Sequence, residues 1–236
     1  MAEFINTIDA LGDEVVIDSI IDRTITEFKD DSIETIGAYA FYGCATLENV
    51  ELPNAVFAAT KGMFTGNVAL KNISIPRCTK LNTDAFNGLT SLNTIELDAC
   101  TAIGYSAFKG CSQLKKLVLP NCIRVENGGF QNCGLEYIDL KVATYLGATY
   151  LFGWSYDVKT LILRSETICA SAGDPFAVSS STNVHIYVPK ALLSDDDETK
   201  DYRRATNWST YADKFRALED YTVDGTTTGE LDETKI

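Results

Sequence analysis

A short unit recurs about every 22 residues along this chain, and no other feature limits its possible folds as strongly. Leu92-Asn93-Thr94-Ile95-Glu96-Leu97 is followed eleven residues later by Phe108-Lys109-Gly110-Cys111. Leu114-Lys115-Lys116-Leu117-Val118-Leu119-Pro120 then repeats the opening, and Phe130-Gln131-Asn132-Cys133 repeats the close. The opening half begins at Leu47, Leu70, Leu92, Leu114, Leu135 and Val158, at steps of 23, 22, 22, 21 and 23. An earlier partial unit ends at Cys44. A unit with so few apolar side chains cannot bury a core alone, so it must stack on copies of itself as a solenoid.

Within each unit, Leu-x-x-Ile-x-Leu alternates apolar and polar residues, as a strand with one buried face must. Copies running in one direction pair only as parallel strands. Pro53, Pro76 and Pro120 lack a donor N–H and close their strands. Ile36-Gly37 and Ile103-Gly104, matched by Leu81 and Val125, lie where the chain turns back around the core. One Phe per unit is expected to stack into an aromatic spine. The strands predicted are 47–52, 70–75, 92–97, 114–119, 135–140 and 158–163.

These residues resemble the BspA-like leucine-rich repeat family of bacteria, whose units read roughly Leu-x-x-Ile-x-Leu-Pro-x-x-x-x-x-Ile-Gly-x-x-Ala-Phe-x-Gly-Cys. The match runs from about Thr24 to Pro189 and departs at Ala58 to Lys61 and around Ser171 to Ser181. It implies an α/β repeat fold, a right-handed leucine-rich-repeat solenoid with a parallel sheet on one face and small helical caps at both ends. Exported or surface-attached members imply a secreted or cell-surface setting. Met1-Ala2-Glu3-Phe4, without the basic and apolar regions of a signal peptide, points instead to the cytoplasm.

The domain reading is an N-terminal helical cap over 1–23, the solenoid over 24–189, a C-terminal helical cap over 190–221 and a polar tail over 222–236. Phe4, Ile5, Ile8 and Leu11, then Val16, Ile17, Ile20 and Ile21, suggest two short amphipathic helices separated by Gly12 and Asp13. Ser209 is read as the N-cap of a third, carrying Tyr211, Ala212, Phe215 and Leu218, with Trp208 pressing on the last coil. The segment Tyr221 to Thr226 suggests a short hairpin before a frayed end.

A formal net charge of −13 argues against nucleic acid and against an anionic membrane surface, both of which need clustered Lys and Arg. No stretch approaches the ~20 apolar residues of a membrane helix. Cys78, Cys100 and Cys122 recur 22 residues apart, while Cys44, Cys111 and Cys133 share another position. Such spacing predicts buried, reduced thiols in ladders rather than zinc ligands, which come in close pairs.

No catalytic constellation emerges. His185, the single histidine, lies outside the repeats, and no Gly-rich loop joins a strand to a helix as phosphate binding requires. Asp195 to Glu198 lacks calcium-loop spacing and reads as a solvated turn. The expectation is a non-enzymatic binding module without cofactor or metal, presenting a rigid sheet face to a protein or glycan. The alternative is a structural component of a surface layer or phage-tail assembly. On the outward face, Glu48 with Lys71 and Lys115 with Glu136 and Lys159 should form a charge ladder. The outward positions also leave Val118, Tyr137 and Ile162 as exposed apolar and aromatic residues, flanked by Lys116, Glu96 and Asp139, and these six form the candidate binding face.

Overall fold

A computed structural model describes residues 4–8, 15–20, 22–37, 39–56, 62–177, 183–220, 222–223 and 226–227. Ahead of the repeats lie strands β1 (Phe4–Ile8) and β2 (Val15–Ile20). The first turns contribute β3 (Glu27–Lys29), β4 (Thr35–Ile36), β5 (Asn49–Glu51), β6 (Asn72–Ser74), β7 (Lys80–Leu81) and β8 (Thr94–Glu96). Next come β9 (Ala102–Ile103), β10 (Lys116–Leu119), β11 (Arg124–Val125), β12 (Tyr137–Leu140), β13 (Tyr145–Leu146) and β14 (Thr160–Leu163). β15 (Ala170–Ser171), β16 (His185–Val188) and β17 (Phe215–Ala217) complete the solenoid.

The Leu-x-x-Ile-x-Leu halves form a front sheet in which every pairing is parallel and in register, the one-residue variations in repeat length being taken up outside the strands. Two-residue strands around the Ile-Gly position form a second parallel sheet behind it, in the order β7-β9-β11-β13-β15. The front sheet is split: β3-β5-β6-β8 form one ladder and β10-β12-β14-β16-β17 another. The back sheet runs through that point unbroken, because Ile103 pairs with both Leu81 and Val125. In the back turns the chain passes close over its predecessor. A Cβ on Gly104 would meet the Leu81 carbonyl oxygen at 2.7 Å, which is why a side chain does not fit there.

Between the two sheets lies one continuous core. Phe41, Phe64, Phe86, Phe108, Phe130, Phe152 and Phe176 stack with successive centroids 5.0, 5.6, 5.3, 5.9, 5.4 and 4.9 Å apart. Phe28 meets one end of this column edge-on and Tyr211 meets the other. Truncating a spine Phe to Ala would cost about 3–5 kcal/mol, since the cavity would lie between two rings that cannot collapse into it.

All seven cysteines are buried and unbridged, in line with the ladder reading. Each thiol of the first set donates two residues ahead: Cys78 to the Lys80 carbonyl, Cys100 to Ala102 and Cys122 to Arg124. In the second set, Cys111 and Cys133 donate to Phe86 and Phe108, and Ser155 makes the equivalent bond to Phe130. Burial pushes the Cys122 and Cys169 thiols up to about 12, so the nucleophilic thiolate is scarce at neutral pH.

Among the described residues the two ends are not helical in the way the spacing suggests. β1 and β2 pair antiparallel, and β2 joins β4 in parallel. Val15, Val16, Ile17 and Ile20 are β-branched, and this preference for extended backbone prevails over a spacing that also fits a helix. Leu11, Gly12, Asp13 and Ile21 lie outside the described residues. At the other end there are only 3-10 turns, at Lys190–Leu192, Glu198–Lys200, Ser209–Lys214 and Leu218–Asp220. Ser209 falls inside its turn, whose N-cap is Trp208. Phe215 belongs to β17, which extends the front sheet by pairing with β16. With no α-helix among the described residues, the architecture is a parallel β-solenoid rather than an α/β repeat, and no helix is long and apolar enough to cross a membrane.

Side chains satisfy the last coil, where no further turn supplies backbone partners. The Cys169 amide donates to the Tyr202 hydroxyl at 2.6 Å, and Trp208 Nε1 donates to the Cys169 carbonyl at 2.7 Å. Asn207 Nδ2 donates to the Ser171 carbonyl at 2.7 Å. Trp208 therefore does close the final turn. β18 (Thr222–Val223) and β19 (Thr226–Thr227) form the short antiparallel hairpin anticipated there; the rest of the expected tail lies outside the described residues.

Candidate functional site

Parallel, in-register pairing sets equivalent outward side chains side by side, ~4.8 Å apart. One row runs Glu27, Asn49, Asn72 and Thr94 across the first ladder, then Lys116, Tyr137, Thr160 and His185 across the second. A second runs Lys29, Glu51, Ser74 and Glu96, then Val118, Asp139, Ile162 and Tyr187. The charge ladder beside them is present: Lys71 pairs with Glu48 at 2.8 Å, and Glu136 accepts Lys115 at 3.6 Å and Lys159 more closely.

Over the first ladder the rows are short, polar and held in place. Asn72 Nδ2 donates to Asn49 Oδ1 at 2.7 Å, Thr94 Oγ1 donates to Asn72 Oδ1 at 2.6 Å, and Ser74 Oγ donates to Glu96 Oε2 at 2.5 Å. These chains leave a shallow groove of about 370 Å³ bounded by Glu27, Glu51, Asn72, Ser74, Thr94 and Glu96. Its charged lining residues are all glutamates. Next to it, the break between β8 and β10 opens a crevice of about 380 Å³, lined by Ile95, Glu96, Asp98, Lys116, Val118 and Pro120 among others. The opening also uncovers part of Ile95, whose counterparts Val50, Ile73, Leu117 and Ile138 are buried.

Of the six residues selected from the sequence, Glu96, Lys116 and Val118 therefore meet at this crevice. The other three are not exposed. Tyr137 is 9% accessible, Asp139 1% and Ile162 0%. Tyr137 lies between Lys116 and Thr160, Ile162 between Asp139 and Tyr187, and Asp139 is engaged by Arg164, whose Nε and Nη2 donate to it at 3.1 and 2.6 Å. Lys116 lies over the Tyr137 ring, 5.6 Å from its centroid. Alternation along a strand identifies which side chains point outward, but it cannot show that outward chains of this size cover one another. The sheet break was invisible too, since Leu92 to Leu97 and Leu114 to Leu119 satisfy the repeat equally well.

The sequence matches the BspA type Leucine rich repeat region, in six copies, over residues 23–136 and 79–186. No curated protein matches it. Among solved structures it is similar to the leucine-rich repeat protein of T. pallidum, with a TM-score of 0.62 at 21% identity, covering 76% of this chain and 89% of that one. It is also similar to a leucine-rich cell surface protein of Faecalibacterium prausnitzii, with a TM-score of 0.50 at 18% identity, covering 71% of this chain and 55% of that one. At these identities the likeness is one of fold. Repeats of this kind are generally protein-interaction modules. With the repeat matched over well more than half its length, the chain belongs to the BspA-type leucine-rich repeat family.

Proposed function

We propose that this protein is a non-enzymatic interaction module that holds an extended, basic segment of a partner protein across β3, β5, β6 and β8 and into the crevice before β10. The observation that carries this reading is the pre-ordered polar groove whose charged lining is Glu27, Glu51 and Glu96. Its Asn and Thr side chains are already fixed by one another, so little rotamer freedom remains to be lost on binding. Carboxylates beside such donors and acceptors suit Lys and Arg side chains and an extended backbone. The chain's net charge of −13 would speed the encounter at low salt.

The test is fluorescence anisotropy with a labelled peptide alternating Lys and Thr, read at low and high salt, together with the size of the free protein in solution. Replacing Glu51 and Glu96 by Gln should weaken binding at least tenfold and flatten the salt dependence, with the protein a monomer throughout. Equal binding by the variant would remove the groove. Concentration-dependent fibres formed without any peptide would favour the structural-component reading instead.

A further inference from the structure

The groove uses only the front sheet, yet the turn edge between back strand and Phe carries a second hollow of different chemistry. Six turns place one residue in the left-handed region two positions before the Phe: Tyr39, Gly62, Asp84, Ser106, Gly128 and Tyr150. That conformation is costly for any side chain and favours Gly or a short polar residue. Tyr39, at φ +58°, nevertheless carries a large ring that is half exposed. The ring leans over the next turn, where a Cβ on Gly62 would come within 3.0 Å of Tyr39 Cε1. Beneath it lies a hollow of about 390 Å³ lined by Tyr39, Gly62, Thr65, Asp84 and Asn87. Asn87 Nδ2 donates to Asp84 Oδ1 at 2.9 Å, so the polar wall opposite the ring is pre-ordered.

We infer that this hollow is a binding site for a hexopyranose unit of a neutral polysaccharide. An aromatic face is electron-rich and attracts the C–H edge of a flat ring, which is what one side of a pyranose presents. Opposite it, a carboxylate accepts, an amide both donates and accepts, and the Thr65 hydroxyl does either, a set that matches neighbouring sugar hydroxyls. Among the described residues the hollow is lined by a carboxylate and by no cation, which disfavours phosphates and acidic sugars. Its volume lies at the low end of small-ligand sites, large enough for one sugar unit rather than a protein surface. Gly62 keeps the floor clear.

The site is separate from the sheet groove, so the two can fail independently. The experiment is affinity electrophoresis of the whole chain in gels containing hydroxyethyl cellulose, galactomannan or pullulan. At least one of these should retard the protein. Tyr39→Gly installs the residue that Gly62 and Gly128 supply at the same place, relieves the left-handed backbone and should leave Tm unchanged or higher while reducing retardation at least tenfold. Asn87→Ala should weaken it severalfold, and Tyr150→Gly should not change it. Binding of the Lys-Thr peptide should be unaffected by Tyr39→Gly. The inference is overturned if none of the three polysaccharides retards the protein, or if Tyr39→Gly is retarded like wild type. Loss of peptide binding in Tyr39→Gly, with no retardation by any polysaccharide, would overturn it in favour of a basic peptide at this hollow.

Discussion

The two ladders of the front sheet come from one repeat pattern, yet their outer faces behave differently. At a single repeat position the first ladder carries Lys29, Glu51, Ser74 and Glu96, with Lys29 paired to Glu51, and the second carries Val118, Asp139, Ile162 and Tyr187. The first row stays accessible and hydrogen-bonded along itself. In the second, Asp139 and Ile162 are as buried as core residues. The inward half of the repeat decides that a turn stacks, while the outward half is free to become either a surface for others or a structural layer. An exposed polar ladder leaves the face available for contact; a bulky one contributes to stability.

Four substitutions test how far this contrast goes. The largest effect is expected where the second ladder hides a charge. Asp139→Ala leaves Arg164 without its carboxylate and should cost about 2–4 kcal/mol, somewhat below a fully buried pair because Arg164 retains some exposure. Asn72→Ala on the first ladder should cost under about 1 kcal/mol. Denaturant unfolding of both variants reads the difference, and equal losses would erase the distinction between the faces.

A smaller effect of opposite sign is expected inside the first half. Asn67 occupies the position of Cys44, Cys111 and Cys133, is fully buried, and neither its Oδ1 nor its Nδ2 finds a hydrogen-bond partner among the described residues. Asn67→Cys should stabilise the protein by about 1–3 kcal/mol by removing that unmet demand. A lower Tm in the variant would mean that the amide has a partner of its own.

The smallest effect concerns the exposed charges shared by the second ladder. Glu136 is held below the usual carboxylate range, chiefly by the hydrogen bond from Lys159, with burial opposing weakly and Lys115 adding a further attraction. A depressed folded value means that the pair stabilises above the unfolded pKa and that this contribution disappears as pH falls through the folded one. Glu136→Gln should therefore lower Tm by no more than about 1–2 °C near neutral pH, with the gap closing in acid. A gap that widened in acid would reverse the assignment.

The fold was legible where a rule repeats. Leu92, Leu97 and Phe108 each recur often enough that their burial, the parallel register and the phenylalanine spine follow from spacing alone. At the ends the rule stops, and Val15 to Ile20 satisfy two periods at once, so only pairing with β1 and β4 settles their conformation. The candidate face was half legible. Alternation assigns Val118 and Ile162 the same direction, but accessibility depends on the neighbours of each and on a break between β8 and β10 that no residue pattern announces.

The closing of the last coil by Tyr202, Asn207 and Trp208 has a bearing on how such molecules change length. The hydrogen bonds of those side chains go to the backbone of Cys169 and Ser171, groups that every turn offers in the same places. A duplicated 22-residue unit inserted upstream would present its own carbonyls and amides to both neighbours, and the closing segment would meet an unchanged surface. Growth or shrinkage by whole coils is then nearly neutral in hydrogen bonding, so genetic duplication can lengthen the groove while the terminus stays as it is.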